Sequence, residues 1–207
     1  MEKLPISVVI IARNEEERLP VVLASVKDWV SEIIVYLNNT TDRSAQIAES
    51  FGARVISTDK WLGYRDQKNK AMSFATQAWI FSLDADEEVS KELKPSIVTF
   101  IQHSDSRYNG AYFTRKVWFL GQWINHGDWY PDYVLRIWRK DKGAIKGPSI
   151  HEYPEVEGNT KKLPGDLYHY SCPTMESWLL KFPHFTDFFR LGCTLERVGP
   201  AARAFAA

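Results

Sequence analysis

Two aspartates stand one residue apart in Asp84-Ala85-Asp86, directly after the apolar run at residues 79–83. Carboxylate oxygens are the ligands that Mg²⁺ and Mn²⁺ prefer, and a bound cation can neutralise a diphosphate. An Asp-x-Asp triplet by itself is more often a solvated acidic turn. Its position at the tip of a buried strand favours a site for Mg²⁺ or Mn²⁺, with Asp84 and Asp86 as candidate ligands.

Two more polar segments follow apolar runs, at residues 13–17 and 38–42. No Gly-x-Gly-x-x-Gly or Gly-Lys-Ser/Thr loop follows the first run, which argues against a dinucleotide-binding dehydrogenase and a P-loop nucleotide hydrolase. Phosphates must therefore be bound in another way. Gln67, Lys68 and Asn69 offer donors near the start of a predicted helix, where the helix dipole favours an anion, although solvated surface residues are the alternative.

Aromatic residues make up 14% of the chain, with 8 Trp, and ten of them lie between Tyr108 and Trp138. Glycine, proline and short polar groups break this segment into loops. Aromatic side chains on such loops often form a pocket for a sugar or a flat apolar acceptor, and core packing is the equally weighted alternative. The candidate acceptor-binding residues are Trp118, Trp129, Tyr130 and Asp132.

The elements that must position these residues alternate regularly. Nearly continuous apolar runs predict strands buried on both faces, at residues 6–11, 33–37, 54–57 and 79–83. Helical patterns separate them, from Pro20 through Val30, from Ala45 to Phe51 and from about Arg65 to Ala78. This alternation predicts an α/β fold with a parallel sheet, in which ligands bind at the carboxyl ends of the strands.

The second half of the chain changes character. A helix is predicted from about Ser90, whose hydroxyl can cap it. Residues 110–117 and 133–138 are predicted to be strands of a mixed extension to the sheet.

The charge is balanced, with 26 Lys plus Arg against 26 Asp plus Glu in 207 residues. This argues against a nucleic-acid partner, since phosphate binding usually needs a basic excess. The length predicts one domain with a core that needs no disulfide, and Cys172 and Cys193 are interpreted as structural thiols. Neither a signal peptide nor a membrane-spanning segment is recognised near the N-terminus, so a cytoplasmic location is expected.

Several segments resemble successive motifs of glycosyltransferase family 2, in matching order and spacing. They are residues 7–16, 32–35, 41–44, 67–71 and 82–87. A second set is similar to a narrower branch, the bacterial lipopolysaccharide-core glucosyltransferases: residues 118–121, 129–132, 135–136, 151–152 and 169–171. The resemblance covers about residues 5 to 172 and is far more specific than any single motif.

The resemblance implies a GT-A fold over residues 1–172. A Rossmann-like donor half would span about residues 1–89 and a mixed-sheet acceptor half about residues 90–172. Members of the branch continue beyond the point where this chain stops. Residues 173–207 are therefore interpreted as a C-terminal helical segment that is truncated or divergent.

The resemblance also implies a metal-dependent, inverting transferase that moves a sugar from a nucleotide-diphosphate donor to a lipopolysaccharide-core or other surface-glycan acceptor. Such a reaction needs a carboxylate that removes the proton of the acceptor hydroxyl. The family places this base at Glu152, and His151 is the alternative base. A third possibility is that both residues serve only to cap a turn before Pro154. His169 would be a further metal ligand by resemblance, although a hydrogen-bonded structural histidine is the more common role.

The residues implied to bind the donor come from several loops. They are Ala12, Arg13, Asn14, Glu15, Asn38, Asp42, Gln67, Lys68, Asn69 and Asp84. One position departs from the family: Leu37 stands where an aspartate commonly pairs with the nucleobase. The following Asn38 offers both a donor and an acceptor and can read a uracil edge, but UDP is favoured only by the resemblance.

Two other functions are weighed against glycosyl transfer. A sugar-phosphate nucleotidylyltransferase would use a similar sheet and acidic site, but it usually carries a glycine-rich loop after the first strand, and residues 11–17 contain no glycine. A non-catalytic glycan-binding protein would keep the aromatic segment without needing a nucleotide.

A membrane contact is also predicted from the sequence. Residues 178–191 gather apolar and aromatic side chains around Lys181 and Arg190, which suits a peripheral position at the inner membrane and a lipid-linked acceptor. A helix packed on the domain or on a second subunit is the slightly favoured alternative, and the oligomeric state is left open.

Overall fold

The computed structural model describes residues 3–103, 107–148, 151–172, 174–176 and 179. The helices are α1 (Leu19–Val26), α2 (Ser44–Ser50), α3 (Tyr64–Met72) and α4 (Leu93–Gln102). The strands are β1 (Leu4–Ala12), β2 (Val30–Asn38), β3 (Arg54–Thr58), β4 (Trp79–Asp84), β5 (Glu87–Val89), β6 (Tyr108–Phe119), β7 (Gln122–Trp123), β8 (Asp132–Arg139), β9 (Gly143–Lys146), β10 (Tyr153–Val156) and β11 (Asn159–Cys172).

One mixed sheet contains most of the strands, in the order β3-β2-β1-β4-β8-β6-β11-β5, with β7 paired to β6. Strands β1 to β4 are parallel to one another, as predicted, because a helical crossover separates each from the next. Strand β8 runs antiparallel to β4 and β6. Strands β9 and β10 form a separate antiparallel pair. The carboxyl ends of β1, β2 and β4 therefore lie at one edge.

The core covers both faces of the parallel half of the sheet. On β1, Val8 packs in a cluster with Leu23 of α1, whereas the neighbouring Val9 packs in a second cluster with Met72 of α3. Successive strand residues point to opposite faces, so both must be apolar when both faces are covered. This is the physical reason for the continuous apolar run in β1.

Some element boundaries differ from those predicted. Trp29 and Val30 are buried, as the helical pattern requires, but α1 ends at Val26 and Val30 begins β2. Helix α3 ends at Met72 and not at Ala78. Helix α4 begins at Leu93, with Glu92 at its N-cap, and so starts later than predicted; the hydroxyl of Ser90 accepts the Leu93 N–H at 3.1 Å and supports the first turn.

Within the described residues, no helix is both long and apolar enough to cross a bilayer. The segment predicted to contact a membrane, residues 178–191, lies outside the described residues except for Leu179. Cys172 is buried and has a free thiol, and Cys193 falls outside the described part of the chain.

Two features require a glycine at position 165: its backbone conformation and a close neighbour. Its φ is +103°, and a Cβ atom there would lie 2.5 Å from the Cα of Leu93 at the start of α4. We expect Gly165→Ala to lower the free energy of unfolding by about 2 kcal/mol, because the backbone strain of an alanine at positive φ adds to the overlap of its Cβ with Leu93. Gly52→Ala is the control, since Gly52 has a φ of +78° but no described residue beyond its chain neighbours within 4 Å of its Cβ position. If denaturant titrations show that Gly165→Ala and Gly52→Ala lower the free energy of unfolding equally, the overlap with Leu93 contributes nothing to the loss.

Candidate active site

A cavity of about 770 Å³ opens at the carboxyl ends of β1, β2 and β4, where the parallel sheet is expected to bind ligands. Ten residues predicted to serve the site line it: Ala12, Arg13, Glu15, Asn38, Gln67, Lys68, Asp84, Asp86, Glu152 and His169. The fold therefore brings together side chains that are up to 157 residues apart in the sequence.

Other predicted donor-binding residues hold the loops of the site in place. The side-chain oxygen of Asn14 accepts the backbone N–H of Thr41 at 2.8 Å. Asp42 accepts the N–H groups of Glu16 at 3.0 Å and Ser44 at 2.9 Å. Burial opposes ionisation of Asp42, but the hydrogen bonds from Ser44 and Glu16 outweigh it and keep the pKa of Asp42 below its usual value. These contacts tie the loop after β1 to the loop after β2.

Asp84 lies between two cations. One carboxylate oxygen is 3.0 Å from Nζ of Lys68, and the other is 2.6 Å from Nη2 of Arg136. Nη2 of Arg136 also donates to the carboxylate of Glu87, whose side chain is fully buried. The second oxygen of Glu87 accepts the backbone N–H of Asp84 at 3.0 Å. Both oxygens of the Asp84 carboxylate are thus engaged by cationic side chains.

This ion network shifts the pKa values of its members. Burial raises the pKa of Asp84, but Arg136 and Lys68 outweigh it, so the net pKa lies well below the usual value. Burial lowers the pKa of Lys68, but the Asp84 carboxylate reverses the shift and the net pKa is raised. Burial dominates at Glu87 and raises its pKa. Asp84, Lys68 and Arg136 therefore stay charged near neutral pH.

Glu152 enters the cavity from the loop that precedes β10. One of its carboxylate oxygens is 3.1 Å from Nζ of Lys68, which thus bridges Asp84 and Glu152. The side chain of Glu152 is 14% exposed. His151 is exposed and is not part of the cavity lining, so the geometry favours Glu152 as the group that faces a ligand.

The pair β9 and β10, which carries Glu152, is fastened to α3. Asn69 donates to the backbone oxygen of Ile145 at 2.8 Å and accepts the Ile145 N–H at 3.0 Å. Nη1 of Arg65 donates to the backbone oxygen of Gly147 at 3.1 Å. Asn69, predicted from the sequence to bind the donor, is therefore placed where it positions Glu152 relative to Lys68.

Asp86 and His169, which both line the cavity, approach each other. Oδ2 of Asp86 is 3.4 Å from Nε2 of His169 and 3.9 Å from Nη1 of Arg18. The pairing of β5 with β11 brings them together, and the N–H of Tyr170 donates to the backbone oxygen of Asp86 at 2.9 Å. Nδ1 of His169 is buried and has no hydrogen-bond partner among the residues that the structure describes. A carboxylate oxygen and an imidazole nitrogen at this separation can share one divalent cation.

The described residues supply only some of the ligands that a divalent cation needs. In the described residues, no group of three His, Cys, Asp or Glu side chains is arranged to hold a metal. Asp84, a predicted ligand, directs its carboxylate at Lys68 and Arg136. Asp86 and His169 fit two positions of a six-coordinate Mg²⁺ or Mn²⁺, which often takes its other ligands from substrate phosphates and water.

The residues predicted to bind the acceptor lie elsewhere in the second half of the sheet. Trp118 stacks edge-on against Trp123 at 5.0 Å, and Trp129 against Phe119 at 5.2 Å. The hydroxyl of Tyr130 donates to Asp166 at 3.1 Å, and Asp132 pairs with Arg115 at 2.7 Å. None of the four predicted residues lines the 770 Å³ cavity.

Sequence reasoning did not assign several residues that belong to this site. Arg136 and Glu87 complete the buried ion network, and Arg18 approaches Asp86. Trp61 and Tyr64 stand at the cavity edge, each 49% exposed. The signal for Arg136 is its position as a lone charge between apolar residues of a predicted strand.

Comparison with known proteins identifies the family. The model of Glycosyl transferase family 2 matches residues 7–155. The chain belongs to this family. An uncharacterised glycosyltransferase of Rickettsia typhi is 43% identical over 186 residues, which cover 85% of this chain and 63% of the relative. The lipopolysaccharide core biosynthesis glycosyltransferase LpsC of Rhizobium meliloti is 29% identical over 86% of this chain and 68% of its own length.

The fold is shared with a solved structure. Residues 1–349 of TarS from Staphylococcus aureus superpose with a TM-score of 0.58 at 17% identity, covering 82% of this chain and 61% of that one. The predicted α/β GT-A fold of the family 2 transferases is thereby confirmed. The chain spans about three fifths of the length of the Rickettsia relative and of the TarS structure.

Proposed function

We propose that this chain transfers a sugar from a nucleotide-diphosphate donor, with inversion at the anomeric carbon, to a bacterial surface glycan. The observation that carries the proposal is that Asp86, His169 and Glu152 line one cavity at the carboxyl ends of the parallel strands. Family membership favours this reaction over nucleotidyl transfer and over glycan binding without catalysis.

The donor half of the site supplies binding and charge. Asp86 and His169 would hold Mg²⁺ or Mn²⁺, which when bound stabilises the charge of the departing nucleoside diphosphate. Asn38, buried at the end of β2, presents an amide to the nucleobase, and the structure of TarS in complex with UDP supports a uridine nucleotide. Arg13 and Arg18 add positive charge to the wall that would face the phosphates.

The protein performs the proton transfer with Glu152. As the acceptor hydroxyl oxygen bonds to the anomeric carbon, the bond from that carbon to the phosphate oxygen breaks and its electron pair leaves with the nucleotide. Glu152 takes the hydroxyl proton, and the ion pair with Lys68 at 3.1 Å orients this carboxylate beforehand. The LpsC relative supports a lipopolysaccharide-core acceptor, and residues 178–191 would bring the enzyme to a membrane-borne acceptor.

The Asp86→Asn variant tests the donor site through nucleotide binding, without an activity assay. We expect it to weaken UDP binding by about tenfold or more when Mn²⁺ is present and to leave metal-free UDP binding unchanged, because an amide is a poorer ligand for a hard cation. Isothermal titration with UDP, with and without Mn²⁺, measures both. Asp141→Asn is the control, since Asp141 is exposed and outside the cavity. Unaltered Mn²⁺-dependent binding in Asp86→Asn would remove Asp86 from the metal site.

A further inference from the structure

A second cavity, of about 450 Å³, adjoins the first, and Lys68, Asp84 and Glu152 line both. It lies where the sheet opens between β4 and β8. The two strands pair only from Trp79 opposite Arg139 to Phe81 opposite Ile137, although β4 continues to Asp84. Small-molecule sites commonly measure roughly 300–1,000 Å³, so the space is large enough for a ligand.

Three tyrosines give this cavity its aromatic character: Tyr112, Tyr133 and Tyr153. Tyr133 and Tyr153 are 43% and 52% exposed, so much of each ring is open to a ligand. Nζ of Lys162 lies 3.7 Å from the centroid of the Tyr133 ring and so occupies one of its faces. The cavity thus offers exposed aromatic surface next to the ion network.

Tyr153 is held in place despite its exposure. A Cβ atom on Gly147 would lie 2.8 Å from Cε1 of Tyr153, so the ring packs directly on the backbone of that glycine. Tyr153 also follows Glu152 in the sequence and begins β10, which Asn69 and Arg65 fasten to α3 through its partner strand and the following loop. The ring and the carboxylate are consequently positioned by the same support.

Polar groups complete the lining. Arg115 lines the cavity while both Nε and Nη2 of its guanidinium donate to Asp132, at 2.9 and 2.7 Å, and its side chain is 30% exposed. This pair offers further donors and acceptors for hydroxyl groups. Aromatic rings beside a few fixed polar groups suit a molecule with apolar carbon faces and many hydroxyls, which describes a saccharide.

We infer that the second cavity binds the acceptor saccharide, with the rings of Tyr133 and Tyr153 against its carbon faces and Arg115 near its hydroxyls. The inference rests on the proposed function. It explains why Glu152 lies at the junction of the two cavities: the base then stands between the donor and the acceptor hydroxyl that it deprotonates. It also relocates the acceptor from the predicted site at Trp118 and Trp129, whose rings stack on other aromatic residues.

The test compares variants in a UDP-release assay with UDP-hexoses and Mn²⁺, with and without methyl hexosides and methyl heptosides as simple acceptors. We expect these glycosides to accelerate UDP release by the wild-type protein. Tyr153→Ala should raise the KM for the accelerating glycoside by about tenfold, whereas the affinity for UDP stays unchanged. Tyr153→Phe keeps the ring and should retain the wild-type KM.

Thermal unfolding verifies that each variant is folded, and Tyr133→Ser replaces Tyr153→Ala if the latter does not fold. An unchanged acceptor KM in Tyr153→Ala and Tyr133→Ser would overturn the inference. So would a raised KM in Trp118→Ala with a wild-type KM in Tyr153→Ala. Failure of the proposed function is distinguishable, because the wild-type protein would then neither bind UDP nor release it from a UDP-hexose.

Discussion

Glu152→Gln is expected to lower kcat by about two to four orders of magnitude while UDP binding in the presence of Mn²⁺ stays within about twofold of wild type. The amide keeps the shape of the side chain but cannot accept the proton of the acceptor hydroxyl, so the loss appears in the transition state. Lys68 keeps Asp84 as its partner at 3.0 Å, which preserves the donor side of the cavity. Steady-state rates and isothermal titration measure the two quantities.

His151→Ala is the matched control for this substitution. His151 precedes Glu152 in the sequence but is exposed and does not line the cavity, so kcat is expected to change less than about threefold. A loss of two orders of magnitude in His151→Ala, together with an active Glu152→Gln, would assign the base to His151.

The parallel half of the fold follows directly from the sequence. The apolar runs of β1, β2 and β4 are continuous because helices cover both faces, and polar loops at their carboxyl ends predict the position of the cavity. Asp84 and Asp86 could be selected because they end a buried strand. Their different partners could not be predicted, since these are Lys68 and Arg136 for one and His169 for the other, contributed by remote elements.

The second half of the fold was less predictable for a physical reason. Strand β11 contains Lys161, Lys162, Pro164 and Gly165, and its first half is mostly exposed, so neither alternation nor an apolar run marks it. Yet β11 pairs with both β6 and β5 and brings His169 to Asp86. Long-range pairing, and not local propensity, places this part of the site.

Asn69 shows how a side chain predicted to bind the donor can also support the fold. The sequence places it near the start of a predicted helix, beside Gln67 and Lys68, a position typical of anion binding. In the structure Asn69 lies in the second half of α3, and both ends of its amide are used by the backbone of Ile145 in β9. A side chain with a donor and an acceptor can serve either purpose, and only the tertiary contact decides between them.

Arg136→Met is expected to lower the free energy of unfolding by about 3–5 kcal/mol, because it removes the cation shared by the fully buried Glu87 carboxyl and by Asp84. Arg136 bridges Asp84 and Glu87, its own side chain is 11% exposed, and that of Glu87 is fully buried. Lys68 still neutralises Asp84, so the larger part of the penalty falls on Glu87. Urea unfolding, with the midpoint and slope fitted separately, measures the change.

Two further variants separate the loss of a buried pair from the loss of an arginine. Arg115→Met breaks the pair with Asp132, whose two side chains are 30% and 33% exposed, and should cost less than about 1 kcal/mol because water screens the remaining charge. Adding Glu87→Gln to Arg136→Met replaces the buried carboxyl group that has lost its cationic partner and should restore about half of the lost stability. If the double variant is no more stable than Arg136→Met, the burial of Glu87 as an anion is not what Arg136 compensates, and its contribution to stability is packing alone.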